Sequence, residues 1–145
     1  MVVYEVGVIS SAGLPVIHID FRPGVKGDPL MTAGFLTALQ QFVNSTFSDE
    51  TQSFSMKKFA VFFSKVDLFK EDASVYAICD RGKSYKAIQE KIKIVTNHLI
   101  EVFPSLSDTV ELAESPQGKE FIKFIKKEFE ALTIKPEERA RKLFG

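Results

Sequence analysis

The stretch ISSAGLPVIHIDF, Ile9 to Phe21, contains Ser10, Ser11, His18 and Asp20, the residue types of a nucleophile, a base and an acid that orients the base. Nucleophilic catalysis needs the base within hydrogen-bond reach of the nucleophile and the orienting group on the base's far side. Spacing argues against that use. His18 and Asp20 are two apart on a strand-like alternation, so they share a face with Cβ atoms too far apart for the usual contact, while both serines sit in a bend. The four residues read instead as the turn and polar face of an edge hairpin, with His18 and Asp20 available to a partner.

A second chemical-looking stretch is AICDRGKS, Ala77 to Ser84, placed after a strand and before a helix as a phosphate-binding loop would be. The pattern G-x-x-x-x-G-K-[ST] requires a glycine where Ala77 stands, and Asp80 puts negative charge where phosphates would be cradled. Gly82 is therefore expected to form a turn and Ser84 to cap the next helix. Cys79 ends an apolar strand, and neither His18 nor His98 stands at a ligand spacing from it, so a buried structural thiol is expected. The carboxylates form no paired constellation on one short segment. No catalytic residue, cofactor site or metal site is expected, and the chain reads as a non-enzyme.

The totals agree with a protein that works through surfaces. The 145 residues are 45% apolar and 26% charged, enough for one core that folds without disulfides. Nineteen basic residues balance nineteen acidic ones, so bulk charge draws the molecule to neither nucleic acid nor an anionic membrane. One cysteine and two histidines point away from disulfide and zinc frameworks and toward a reducing, cytoplasmic setting. MVVYEVGVISSAG lacks the basic start of a secretory signal, and no run of about 18 apolar residues is present to span a bilayer. Lys119, Lys123 and Lys126 form a stripe, but interleaved glutamates and the lack of an aromatic platform make it a solvated helix face rather than a nucleic-acid surface.

The elements that position these residues follow from periodicity. VYEVGVI and Pro15 to Phe21 read as a hairpin. Asp28 as N-cap and Pro29 at N1 open a helix running to about Phe47. Thr51 to Met56, Lys58 to Val66 and Ser74 to Asp80 read as strands, with FAVFF apolar on both faces and therefore covered by helices on each side. The polar faces of Pro15 to Phe21 and Thr51 to Met56 mark them as edges. Tyr85, Ile88, Ile92, Val95, Leu99 and Val102 define one helical face, and after the linker PSLSDTVELAES, Ser115 and Pro116 open a helix burying Phe121 or Ile122, Ile125, Phe129 and Leu132. The expected class is α/β in the broad sense, α+β in detail. A five-stranded antiparallel sheet in the order β-β-α-β-β-β-α-α would carry one helix on one face and two on the other. Residues 1 to 132 form one domain, and 133 to 145 a short basic, helical tail.

That order, the hairpin ISSAGLPVIHIDF and the following DPLMTAGFLTALQQFVNSTF resemble the longin-like domains of the longin and roadblock superfamily, including TRAPP-type trafficking subunits, from Val3 to about Leu132. The resemblance implies pairing with itself or a related longin or roadblock protein through the first helix and a neighbouring edge strand. It also implies a platform for a small GTPase, a role in vesicle trafficking, and a cytoplasmic location, peripheral to membranes through partners.

The first helix is itself anomalous, since no charged residue occurs between Asp28 and Asp49. A helix with its back to water normally carries Lys and Glu there. Helical plotting puts Met31, Phe35, Leu39, Phe42 and Val43 on a wide sheet-facing arc and Gly34, Ala38, Gln41 and Ser45 on a seam beside it. Either the seam brings the helix close to its own sheet, or a second chain covers it. The expected partner-binding residues are Met31, Gly34, Thr37, Ala38, Gln41 and Ser45 on this helix and His18, Asp20, Ser53 and Ser55 on the edges. The leading reading is a dimerising scaffold or regulatory subunit for a small GTPase or trafficking-type complex. The alternative is a small-molecule-sensing domain of profilin-like or PAS-like shape, with its ligand between sheet and helix.

Overall fold

A computed structural model describes residues 2–22, 27–47, 53–67, 72–81, 85–103 and 113–133. The elements run β1 (Val3–Ser10), β2 (Pro15–Asp20), α1 (Pro29–Phe47), β3 (Ser53–Ser55), β4 (Phe59–Asp67), β5 (Asp72–Asp80), α2 (Lys86–Val102) and α3 (Pro116–Phe129), with a last single 3-10 turn, Glu130–Leu132. The strands form one antiparallel sheet in the order β2-β1-β5-β4-β3. β2 and β3 are the two edges, as their polar faces imply. Ser84, the tail and most of the linker before Ser115 lie outside the described residues.

Local chemistry accounts for the element starts. The β1 to β2 turn closes with Gly13 at φ 81°, a left-handed conformation that disfavours a side chain. The Asp28 carboxylate accepts from the backbone N–H of Leu30 and Met31 at 3.1 and 3.2 Å, and the Ser115 hydroxyl accepts from Gly118 N–H at 2.9 Å, so α1 and α3 both begin on side-chain caps followed by proline.

The two faces of the sheet are unequal. Val6, Val8, Ile17, Ala60, Phe62, Val75, Ala77 and Cys79 meet Ile88, Ile92, Val95 and Leu99 of α2 and Phe121, Ile125 and Phe129 of α3 in the larger cluster. This is the three-and-four periodicity of both helices turned inward. On the opposite face α1 contributes two fully buried residues, Ala33 and Leu36, over Ile9, Val61, Phe63 and Tyr76. That corrects the expected orientation of α1. Met31, Phe35 and Phe42 are exposed instead of facing the sheet, and the close packing uses Ala33 and Leu36. Without a charged residue on either side, polarity could not select the inward arc.

Gly7 pairs with His18 on one side and Tyr76 on the other. A Cβ there would lie 2.6 Å from the Tyr76 ring and 2.7 Å from the Ile17 carbonyl oxygen, so Gly7 is where the tyrosine crosses β1. Gly34, by contrast, has nothing within 4 Å of a built Cβ. Gly7→Ala is expected to destabilise the chain by about 2 kcal/mol or more through overpacking. Gly34→Ala is expected to stabilise it by up to about 1 kcal/mol through helix propensity. Urea unfolding of both variants checks the contrast, and equal effects would contradict it.

Candidate functional site

Tyr76 crosses Gly7 to reach Glu5, and its hydroxyl donates to Glu5 Oε2 at 2.8 Å. Glu5 is 3% exposed, a carboxylate within an otherwise apolar strand. From β2, His18 Nε2 stands 3.1 Å from Glu5 Oε1, an ion-pair contact whose angles fall short of a hydrogen bond. Asp20 pairs across from Glu5 and is gripped by Arg22, whose Nε and Nη2 donate to the two carboxylate oxygens at 3.0 and 2.7 Å. Arg22 Nη2 also lies 3.9 Å from Glu5 Oε1.

Each shift in this cluster has a physical cause. His18 is raised above its ordinary value by the close contact with Glu5, opposed by partial burial and assisted by the charges of Glu5 and Asp20. Asp20 is lowered mainly by the Arg22 hydrogen bonds, and Arg22 is raised by the same pairing. The Tyr76 phenol is pushed well up, first by burial and then by the neighbouring Glu5 charge. It is therefore a neutral donor at any ordinary pH.

Atoms of Glu5, His18 and Asp20 come within 4.8 Å of one another, a spacing that a metal ion could bridge. Arg22 already fills that electrostatic role, however, because its guanidinium binds Asp20 in two-pronged fashion and faces Glu5. A metal would have to displace it. Ser10 accepts from Leu14 N–H at 3.2 Å in the turn and does not join His18, so no catalytic set is assembled among the described residues. Cys79 is buried, its thiol pushed up to about 12 mainly by burial, and is an inert core group.

The second candidate surface is the outer side of α1. Met31 is 71% exposed, Phe47 67%, Leu30 and Phe42 60% and Phe35 53%, and no charged residue interrupts them. Of the residues expected to meet a partner, Met31, Gly34, Ala38, Gln41 and Ser45 all fall on this exposed stripe, at steps of three and four. Thr37 is half-buried and turns toward Gly13. Ser53 and Ser55 are exposed on edge β3, whereas His18 and Asp20 are half-buried and engaged by Glu5 and Arg22. Past the apolar contact of Ala33 and Leu36, a groove of about 710 Å³ opens beside the C-terminal half of α1, with Gln41 and Ser45 on its wall.

Sequence reasoning missed Glu5, Tyr76 and Arg22, as well as the outward Leu30, Phe35, Phe42 and Phe47. The available signal for the first was one acid inside VVYEVGVI, which must be satisfied if the strand is buried.

The five-stranded antiparallel sheet, with one helix on one face and two on the other, is a longin-like fold. Myxococcus xanthus MglB superimposes with a TM-score of 0.53 at 13% identity, covering 70% of this chain and 83% of that one. A structure titled MglB with tetrameric arrangement gives 0.39 at 16% identity, over 54% and 60% of the two chains. No protein-family model matches the chain, and no curated protein matches it. No helix among the described residues is long and apolar enough to cross a membrane.

The cluster predicts a pH window for stability. Because His18 is raised on folding, its contribution is complete below the unfolded value of about 6.5 and is lost as pH rises through the higher folded value. Because Asp20 is lowered, its contribution is complete above about 3.9 and is lost as pH falls through the lower folded value. Stability from the cluster is therefore greatest between roughly pH 4 and 6.5. The stability gap between the native chain and His18→Gln should close above that window, and Glu5→Gln should lower the His18 titration seen by NMR. A gap independent of pH would contradict the assignment.

Proposed function

We propose that this chain is a non-enzymatic interaction module that pairs through α1, with itself or with a related longin or roadblock protein, and serves as a regulatory or scaffold subunit for a small GTPase. The observation that carries the reading is the bare outer face of α1: five large apolar side chains exposed on a helix that has no charge. Interface cores are depleted of charge and enriched in aromatic residues and methionine, whereas contiguous apolar patches are uncommon on monomers. Gly34 and Ala38 lie open between these side chains, where a second backbone can come close.

The GTPase part rests on the fold. Longin-like and roadblock-like domains often pair through this helix and a neighbouring edge strand, making platforms that can bind small GTPases, and the likeness to MglB supports that reading at the level of architecture. A trafficking-type complex at a membrane surface, reached from the cytoplasm through partners, is the setting the same resemblance suggests. The edge residues Ser53 and Ser55, and His18 and Asp20 on the far edge, are secondary contacts in this proposal.

Sedimentation at tens of micromolar is expected to show a species of about twice the 16.3 kDa chain mass. Phe35→Glu and Gly34→Lys are expected to weaken pairing by about tenfold or more while leaving circular dichroism unchanged. A native chain that stays monomeric, with both variants indistinguishable from it, would remove self-pairing. In a pull-down with the host's small GTPases, retention is expected in one nucleotide state. Retention in neither state would remove the GTPase role and leave the pairing claim standing.

A further inference from the structure

Asp20, at the end of β2, holds more than one part of the chain. Its Oδ1 accepts from the Arg22 backbone N–H at 2.9 Å and from Arg22 Nε at 3.0 Å, its Oδ2 accepts from Arg22 Nη2 at 2.7 Å, and the Gly27 backbone also hydrogen-bonds it. Gly27 lies against the whole cluster. A Cβ built there would stand 3.3 Å from Glu5 Oε1, 3.4 Å from Asp20 Oδ2 and 3.6 Å from Arg22 Nη2. The next residue, Asp28, caps α1. The start of α1 is therefore fastened to β2 through one carboxylate, and that carboxylate shares its guanidinium with Glu5, whose Oε1 lies 3.9 Å from Arg22 Nη2.

His18 decides how the guanidinium is shared. Its Nε2 is 3.1 Å from Glu5 Oε1 with angles short of a hydrogen bond, so the contact depends on the charge of the imidazolium rather than on an N–H that a neutral ring could keep. With that charge present, Glu5 has a cation closer than Arg22, and the guanidinium stays on Asp20. Without it, the pull of a carboxylate only 3% exposed falls more heavily on Arg22. Among the described residues, no other group facing His18 supplies the charge. Tyr76 from β5 is a neutral donor to the other Glu5 oxygen, and Asp20 on β2 is itself acidic. From Pro29 to Phe47, α1 has no titratable side chain, and the Asp28 carboxylate is turned to the Leu30 and Met31 amides. The contact with Glu5 raises His18 above its ordinary value of about 6.5, so its charge changes on the neutral-to-alkaline side of that value.

We propose that Glu5, His18, Asp20 and Arg22 form a proton-operated clasp on the start of α1. With His18 charged, Arg22 and Gly27 are both held on Asp20, and the helix start is fastened to β2. With His18 neutral, the guanidinium turns from Asp20 toward Glu5. Gly27 stands over both ends of that path, within contact of Glu5 Oε1 and Arg22 Nη2, so the move displaces it. Asp20, no longer oriented by the guanidinium, turns to water, and the first turn of α1 loosens from the sheet. The clasp thus converts the charge of one half-buried histidine into the freedom of the helix that presents the apolar outer face. It does not rest on what that face binds, because the measurements that test it read the clasp itself.

NMR of the whole chain between about pH 5 and 9 provides the test. The Arg22 and Gly27 amide signals and the Arg22 Nε–H signal are expected to shift with the midpoint of the His18 ring. Hydrogen exchange at Gly27, corrected for its intrinsic pH dependence, should quicken by about tenfold or more above that midpoint. His18→Gln should leave the clasp open throughout, with Gly27 exchanging at every pH as it does in the native chain at high pH. Glu5→Gln should do the opposite, because no carboxylate then draws the guanidinium away, and Gly27 should stay slow through the whole range. A cluster that only supports the fold would loosen Gly27 in both variants. Should either variant fail to fold, the native titration still decides. Arg22 and Gly27 signals that do not follow His18, or equal loosening in both variants, would overturn the proposal.

Discussion

The buried carboxylate of Glu5 is the constraint around which the α1 side of the sheet is organised. A carboxylate removed from water is tolerated only when its oxygens are paired, and here the partners come from both neighbouring strands. Tyr76 reaches it from β5 and His18 from β2, with Arg22 behind. The tyrosine arrives only because Gly7 has no side chain in its path. One acid therefore fixes how both β2 and β5 lie against β1. A one-residue slip of either strand would move its partner to the other face and leave the charge unpaired. The same cluster also secures the chain leaving β2, because Arg22 and Asp20 hold each other at the exit toward α1.

With strand positions set in this way, the two faces can differ in purpose. The α2 and α3 side carries the larger apolar core, with Phe121, Ile125 and Phe129 fully enclosed. Burial of such side chains contributes roughly 1.5 to 3 kcal/mol each, so that face supplies most of the folding drive. α1 adds only Ala33 and Leu36 to the enclosed set. It is held by a cap, a short apolar contact and a bond between Ser74 and Gln40. Its large side chains remain available for contacts outside the chain.

This division explains which parts were legible in the sequence. Element order, edge strands and the buried faces of α2 and α3 could be read because charged and apolar residues alternate at the periods of strand and helix. The orientation of α1 could not be read. Met31, Phe35 and Phe42 look like core residues at helical spacing, and nothing polar marks them as outward. The lack of charge between Asp28 and Asp49 did mark the helix as unusual, and the stripe through Gly34, Ala38, Gln41 and Ser45 does lie on the open side. The Glu5 cluster was hidden for a different reason. Its members are distant in sequence and meet only through strand register, so His18 and Asp20 were visible as polar residues while their partners were not.

Absence of charge along the whole of α1 has a further physical meaning. A helix with one wet face normally shows charges on that face, whereas the exposed side of α1 carries apolar, amide and hydroxyl groups alone. The inner side lies on Ile9, Val61, Phe63 and Tyr76. The outer side carries large apolar groups, and the flank toward the end of β4 carries carboxamides and hydroxyls at the groove. Inner and outer sides differ in depth of packing rather than in polarity. The groove flank differs in kind, because the amides of Gln40, Gln41 and Asn44 donate and accept hydrogen bonds there, whereas Phe35 and Phe42 cannot. One uncharged helix thus separates two surfaces of different chemistry, an apolar stripe and a polar groove, with Gln41 and Ser45 at the border between them.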